Sequence, residues 1–126
     1  MSATRTEIFA SASVTAAGNT APFSIPTGVH LMIGIDVTVW NTAGPVFFFQ
    51  WSDDGGTTWY DAPIEFLMTH VLAGTAGTAS INQASWTPTA AMRATFMFKN
   101  LAADMYRLRW TVASGNATFS ASATAK

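Results

Sequence analysis

Three aspartates near the middle of the chain are the residues with the clearest potential for metal chemistry. Asp53, Asp54 and Asp61 could supply oxygen ligands to Ca²⁺, a cation that binds six to eight oxygen atoms. The glycine-rich segment around them lacks the further acidic residues, at regular spacing, that a high-affinity calcium loop contains. We therefore expect no metal site, and we interpret the segment as a structural turn.

The turn is predicted from residues Ser52, Asp54, Gly56, Thr58 and Trp59. Glycine supplies the positive φ angles of a tight hairpin, and side-chain oxygens of serine and aspartate accept backbone N–H groups inside the loop. The segment also resembles the Asp-box, Ser-x-Asp-x-Gly-x-Thr-Trp, of sialidase-like propellers, where the resemblance implies a structural role. One copy cannot build the blades of a propeller.

The remaining candidates for catalysis are isolated in the sequence. His30 and His70 are the only histidines, no cysteine is present, and no Gly-x-Ser-x-Gly motif occurs. Glu7 and Glu65 could be the two carboxylates of a glycosidase. However, a glutamate is far more often simply exposed to solvent. We expect a protein that is not an enzyme, with no catalytic residue and no cofactor.

Composition excludes some partners and favours others. Only 10% of residues are charged, 49% are hydrophobic and five are tryptophan, whereas about 25% of residues are charged in an ordinary soluble domain. This balance indicates surfaces covered by neighbouring subunits, although a compact β domain with a Ser/Thr surface fits it equally well. A net charge of −1 argues against nucleic acid and anionic membranes.

The beginning of the chain has no secretory signal pattern, and no apolar run is long enough to span a membrane. We expect a soluble protein made in a cytoplasm.

Period-two alternation of apolar and polar residues dominates the chain and predicts eight to ten short strands. We expect one β-sandwich domain over residues 1–126, with an N-terminal strand or arm over 1–14. Residues 62–72 fit a helix and a strand about equally well. Residues 73–84 are small and polar and predict a long loop. The clearest alternating runs are Val29–Trp40, Met92–Phe98, Tyr106–Val112 and Ala117–Ala125.

Several aromatic and basic residues are candidates for contact with other subunits. Phe47 and Phe49 lie in a run that is apolar on both faces, which predicts a strand buried on both sides or facing a partner. Trp40 and Trp86 lie at strand ends, away from the expected core, where tryptophan anchors an interface or stacks on a sugar.

Basic residues follow one of the alternating runs. Arg107 and Arg109 share a strand face, with Arg93 expected nearby, and they could form bidentate pairs with carboxylates of another subunit. An ordinary solvated face is the alternative.

Taken together, the hairpin at Ser52–Tyr60, the run Tyr106–Val112 and the Ser/Thr-rich segment Gly115–Ser122 resemble small virion proteins of tailed bacteriophages. The resemblance covers roughly residues 29–125. It implies an all-β, two-layer antiparallel β-sandwich of jelly-roll type.

The function implied by the resemblance is that of a capsid decoration, or cement, protein at the virion surface. Such a protein is a homo-oligomer, a dimer or trimer here, that binds the outer capsid and bridges neighbouring major capsid subunits. The contact candidates are Trp40, Phe47, Phe49 and Trp86, with Arg5, Arg107 and Arg109 as polar partners. The alternative is a host-recognition or carbohydrate-binding module on a phage tail or head fibre, which would stack exposed aromatic rings on sugars.

Overall fold

The fold consists of ten β-strands packed as two antiparallel sheets. The computed structural model describes residues 4–25, 30–41, 44–62, 64–71, 78–98, 103 and 105–125, with the backbone alone described at 4, 65–68, 70, 71 and 78–83. Every regular element in these ranges is a strand, which confirms the predicted all-β sandwich. The strands are β1 (Thr4–Val14), β2 (Gly18–Asn19), β3 (Leu31–Trp40), β4 (Val46–Ser52), β5 (Tyr60–Ala62), β6 (Ile64–Val71), β7 (Thr78–Gln83), β8 (Met92–Phe98), β9 (Met105–Thr111) and β10 (Ala117–Ala125).

Strand order identifies the sandwich as a jelly roll. One sheet has six strands in the order β1-β10-β3-β8-β6-β7, and the other has four in the order β2-β9-β4-β5. Without the β6–β7 hairpin, eight strands remain, and the chain passes from one sheet to the other at every connection but β4–β5. Eight strands wound in this way form the two interlocked Greek keys of a jelly roll.

The core lies between the sheets and is built from alternate residues of the long strands. On β3, Leu31, Ile33, Ile35 and Val37 are fully buried, as the alternation predicts. The facing side of the four-stranded sheet supplies mainly aromatic rings. Buried positions of the other strands are Met92, Ala94, Phe96 and Phe98 on β8, Tyr106, Leu108 and Trp110 on β9, and Ala117, Phe119, Ala121 and Ala123 on β10.

A β-bulge interrupts the alternation near the end of β3. Val37 and Val39 pair with the adjacent residues Phe119 and Thr118 of β10, so Thr38 is an extra residue on β3. The extra residue reverses the faces that follow it. Val39, expected inside, is 50% exposed, whereas Trp40 is partly buried and packs against the core.

Register shifts on β1 change the predicted faces there too. The pairing with β10 shifts between Glu7 and Phe9 and again between Phe9 and Ala12. Simple alternation along the predicted N-terminal strand places Phe9 on the polar face with Arg5 and Glu7. Instead, its ring lies 4.8 Å from that of Phe119 between centroids. The bulges thus turn an edge-strand aromatic ring towards the core.

The ambiguous segment and the predicted polar loop form a hairpin of strands. Residues 64–71 form β6, so the strand interpretation holds and the helical one is wrong. Within the segment expected to be a loop, Thr78–Gln83 forms β7 and pairs antiparallel with β6, which corrects the prediction there. β7 lies at the edge of the six-stranded sheet. Small polar residues suit such a position, because an edge strand pairs with a neighbouring strand on one side only. Residues 73–77 lie outside the described ranges.

Candidate binding face

The hairpin between β4 and β5 is closed by side-chain bonds to its own backbone. Ser52 Oγ donates to Asp54 Oδ1 at 2.8 Å and accepts the N–H of Gly56 at 3.0 Å. Asp54 Oδ1 also accepts the N–H groups of Thr57 and Thr58, at 3.1 and 2.9 Å. Gly55 and Gly56 have φ angles of 75° and 95°, which glycine adopts without strain.

These bonds favour the charged form of the Asp54 carboxyl group. The backbone N–H of Thr58, then the Ser52 hydroxyl and the Thr58 hydroxyl, lower the pKa of Asp54 to about 2. An aspartate whose oxygen atoms accept this many bonds within its own turn has a structural role, as the sequence suggests.

The turn places Trp59 at one end of the four-stranded sheet. Its indole Nε1 donates to the Gly56 carbonyl at 3.0 Å, which fixes the ring. The guanidinium of Arg107 on β9 lies over that ring, 4.3 Å from its centroid. Such stacking is a cation–π contact. The hairpin therefore helps to position Arg107, a residue that is distant from it in the sequence.

Arg107 begins a chain of polar contacts across the outer face of the four-stranded sheet. Strand pairing puts Gln50 of β4 between Arg107 of β9 and Asp61 of β5. Arg107 Nε donates to Gln50 Oε1 at 2.8 Å, and Gln50 Nε2 donates to Asp61 Oδ1 at 2.7 Å. Gln50 is buried by these neighbours and orients both of them.

Arg109 completes the arrangement. Its guanidinium lies over the Phe48 ring, 4.3 Å from the centroid, and its Nη2 lies 3.7 Å from Asp61 Oδ1. Among the described residues, the buried Nε of Arg109 has no hydrogen-bond partner. Arg109 is thus held by stacking on Phe48 and by a longer ion pair with Asp61. We call this surface the arginine face; it consists of Phe48, Gln50, Trp59, Asp61, Arg107 and Arg109.

The arginine face has an excess of positive charge. It contains two guanidinium groups and one carboxylate, within a protein whose net charge is −1. Partial burial and then the nearby Arg109 lower the pKa of Arg107, while Asp61 acts in the opposite direction. A second carboxylate placed here would relieve the repulsion between the two arginines.

The structure buries three of the aromatic residues that were expected to contact partners. Phe47 and Phe49 are fully buried and Trp86 is 5% exposed. Phe47 stacks on Trp86 with centroids 5.6 Å apart, and Phe49 stacks on Phe98 at 4.1 Å. This corrects their choice as contact residues and the exposed position expected for Trp86, because each ring is enclosed by side chains of its own chain.

Trp40 also differs from the expectation, since the bulge on β3 directs it towards the core. Phe48 is the residue of the Phe47–Phe49 run that faces outward, and sequence reasoning missed it together with Gln50. Asp61 was considered only as a calcium ligand, and the structure places it beside Gln50 instead. Period two alone places Phe48 and Gln50 on the face opposite Phe47, which was the available signal.

The other predicted basic residues lie on the opposite side of the sandwich. Arg5 and Arg93 line an open groove of about 290 Å³ on the outer face of the six-stranded sheet. Arg93 forms an ion pair with Asp36 there. It was expected near Arg107 and Arg109, but its strand β8 and their strand β9 belong to different sheets, which corrects that expectation. Gly34, Met32, Ile35, Thr95, Ser122 and Thr124 complete the lining of this outer groove.

The remaining candidates for chemistry stay apart where the structure describes them. His30 is exposed, Glu7 is exposed on β1, and the side chains of Glu65 and His70 lie outside the described residues. In the described part of the chain, no three His, Asp or Glu side chains are grouped so that they could hold a metal ion. The same ranges contain no helix with the length and hydropathy needed to cross a membrane.

Comparison with solved structures gives a likeness in fold. No family model and no curated protein matches the sequence. The fold is similar to the crystal structure of the SPBc2 prophage-derived protein YomS, with a TM-score of 0.55 and 11% sequence identity. The match covers 99% of this chain and 94% of that chain. At this identity the likeness shows the fold alone: the two chains share one complete β-sandwich.

Proposed function

We propose that this protein is a virion structural protein of a tailed bacteriophage that binds the outer capsid surface and cements neighbouring major capsid subunits. The observation that carries the proposal is the arginine face, a broad sheet surface on which two guanidinium groups are held by stacking on aromatic rings. Arginine and aromatic residues are enriched at protein–protein interfaces.

The fixed geometry of these arginines favours binding. Arg107 is stacked on Trp59 and bonded to Gln50, and Arg109 is stacked on Phe48. Because the side chains are already ordered, less conformational entropy is lost when they pair with a carboxylate. We infer that the partner surface presents Asp or Glu side chains to this face.

Two further observations support a phage structural role. The fold resembles that of a prophage-derived protein over nearly the full length of both chains. The charge content of 10% also suits a chain that works as part of a larger assembly. A protein that binds only the assembled shell stabilises it by mass action, without any chemical step.

Binding to capsids that lack this protein tests the proposal. We expect saturable co-sedimentation with such capsids and a higher temperature of capsid disruption. Arg107→Ala and Arg109→Ala should each weaken binding by roughly tenfold, the effect of truncating an important interface residue. Arg93→Ala, which removes an exposed arginine from the opposite sheet, is the matched control and should bind as the unmodified protein does.

A carbohydrate-binding module remains the second candidate because of one aromatic pair. Tyr60 is 46% exposed and its ring lies 4.8 Å from that of the partly buried Trp51. By contrast, the Trp59 ring carries Arg107 on one face. Loss of capsid binding together with a saccharide-dependent change in tryptophan fluorescence, abolished by Tyr60→Ala, would favour this candidate over cementing.

A further inference from the structure

Among the described strands, β1 lies at one edge of the six-stranded sheet. β1 is eleven residues long and pairs with β10 on one side, and no described strand pairs with its other side. A free strand edge presents N–H and C=O groups that a further strand can pair with.

Two exposed residues of opposite charge mark the start of this edge. Arg5 pairs with Thr124 and Glu7 with Ser122 on β10, and both β10 residues line the outer groove. Directly paired residues of a sheet point to the same face. Arg5 and Glu7 therefore lie on the outer face, separated by Thr6, and both are exposed.

This spacing is self-complementary in an antiparallel pair. If two copies of β1 meet about a two-fold axis at Thr6, Arg5 of each copy lies opposite Glu7 of the other. An axis centred on Arg5 or on Glu7 would place like charges opposite each other, which is destabilising. A shift by a single residue would oppose outer-face to inner-face positions.

We propose that β1 is a self-recognition edge through which two copies of this chain pair antiparallel, joining their six-stranded sheets into one continuous sheet. The first register shift of β1 follows Glu7, so the evenly spaced part of the strand is the part that contains both charges. Such an interface is isologous, as in most dimers.

The geometry of this dimer has a consequence for the arginine face. The two-fold axis of an antiparallel strand pair is perpendicular to the sheet, so both four-stranded sheets lie on the same side of the joined sheet. Both arginine faces then point in one direction. Two linked faces bind a repeating surface more tightly than one, because the second contact is intramolecular.

Sedimentation velocity over a wide range of protein concentration tests the dimer without any capsid. The unmodified protein should dimerise, and Arg5→Glu and Glu7→Arg should each weaken dimerisation by about tenfold or more, since each places like charges opposite each other at two symmetric positions. An equimolar mixture of the two variants should dimerise again, because every opposed pair is then of opposite charge. The double variant Arg5→Glu/Glu7→Arg should also dimerise.

The control variant is Asp53→Arg, which makes the same charge change as Glu7→Arg on the exposed hairpin after β4 and should dimerise normally. Thermal unfolding checks that every variant is folded. A monomeric unmodified protein, single variants that dimerise unchanged, or a mixture that stays monomeric would each overturn the proposal. Capsid binding by the arginine face is measured separately, so failure of either proposal is recognisable by itself.

Discussion

The ring of Trp40 occupies the space that a side chain at Gly44 would need. A Cβ atom on Gly44 would lie 2.7 Å from Trp40 Cζ3 and 3.1 Å from the carbonyl oxygen of Asn116. Gly44 thus allows the residue that the β3 bulge turns inward to pack beside the following turn. The close approach explains why a residue without a side chain stands at this position.

We expect Gly44→Ala to lower the free energy of unfolding by about 1–3 kcal/mol, the usual effect of overpacking. Urea denaturation measures the change. Gly34→Ala is the matched control, because a Cβ there would meet only Ser122 Oγ, at an ordinary 3.4 Å. That variant should be neutral or slightly more stable, and equal losses for both variants would contradict the steric explanation.

Substitutions of the neighbouring residues Phe48 and Phe49 on β4 should affect folding and binding differently. Phe49 is fully buried, so Phe49→Ala should destabilise the fold by about 3–5 kcal/mol. Phe48 is half-buried beneath Arg109, so Phe48→Ala should destabilise it less but weaken capsid binding. Urea denaturation and co-sedimentation provide the two measurements. A larger loss of stability for Phe48→Ala than for Phe49→Ala would contradict the outward orientation of Phe48.

The turn carboxylate predicts a specific pH dependence. The pKa of Asp54 is about 2 in the folded protein and 3.8 in the unfolded reference, so its contribution is complete above pH 3.8 and is lost as pH falls through about 2. The melting temperature of Asp54→Asn should therefore lie below that of the unmodified protein at neutral pH, and the gap should close between pH 4 and 2. Asp53→Asn, the same substitution at an exposed neighbouring position, is the matched control. A gap that stays constant over this pH range would contradict the proposed stabilisation.

The buried hydroxyl of Thr20 connects β2 to β9. Leu108 donates its N–H to Thr20 Oγ1 at 3.1 Å, and the Thr20 N–H donates to the Leu108 carbonyl at 2.8 Å. Thr20→Val keeps the shape but removes an acceptor, which should cost about 1–3 kcal/mol of unfolding free energy. Thr38→Val, at an exposed hydroxyl that donates to the Thr118 carbonyl at 3.3 Å, should change it by about 0.5 kcal/mol or less. Chemical denaturation of both variants checks the difference, and similar losses would argue against an energetic role for burial.

Features that depend on near neighbours in the chain could be predicted from the sequence. Side chains alternate along a strand, so the buried faces of β8, β9 and β10 follow from their residue types. The hairpin at Ser52–Trp59 is equally local, because its serine and aspartate bond to backbone groups within a few residues. The residue pattern therefore determined the sandwich class and the turn.

The tertiary structure decided the features that depend on which strands are neighbours. Bulges reversed the predicted faces of Trp40 and Phe9, since pairing with β10 locates the extra residues. The arginine face exists because β4 lies between β5 and β9, which brings Gln50 to Arg107 across 57 residues of sequence. Alternation is the same in every sandwich, so only long-range pairing could select the jelly roll and assemble its surface.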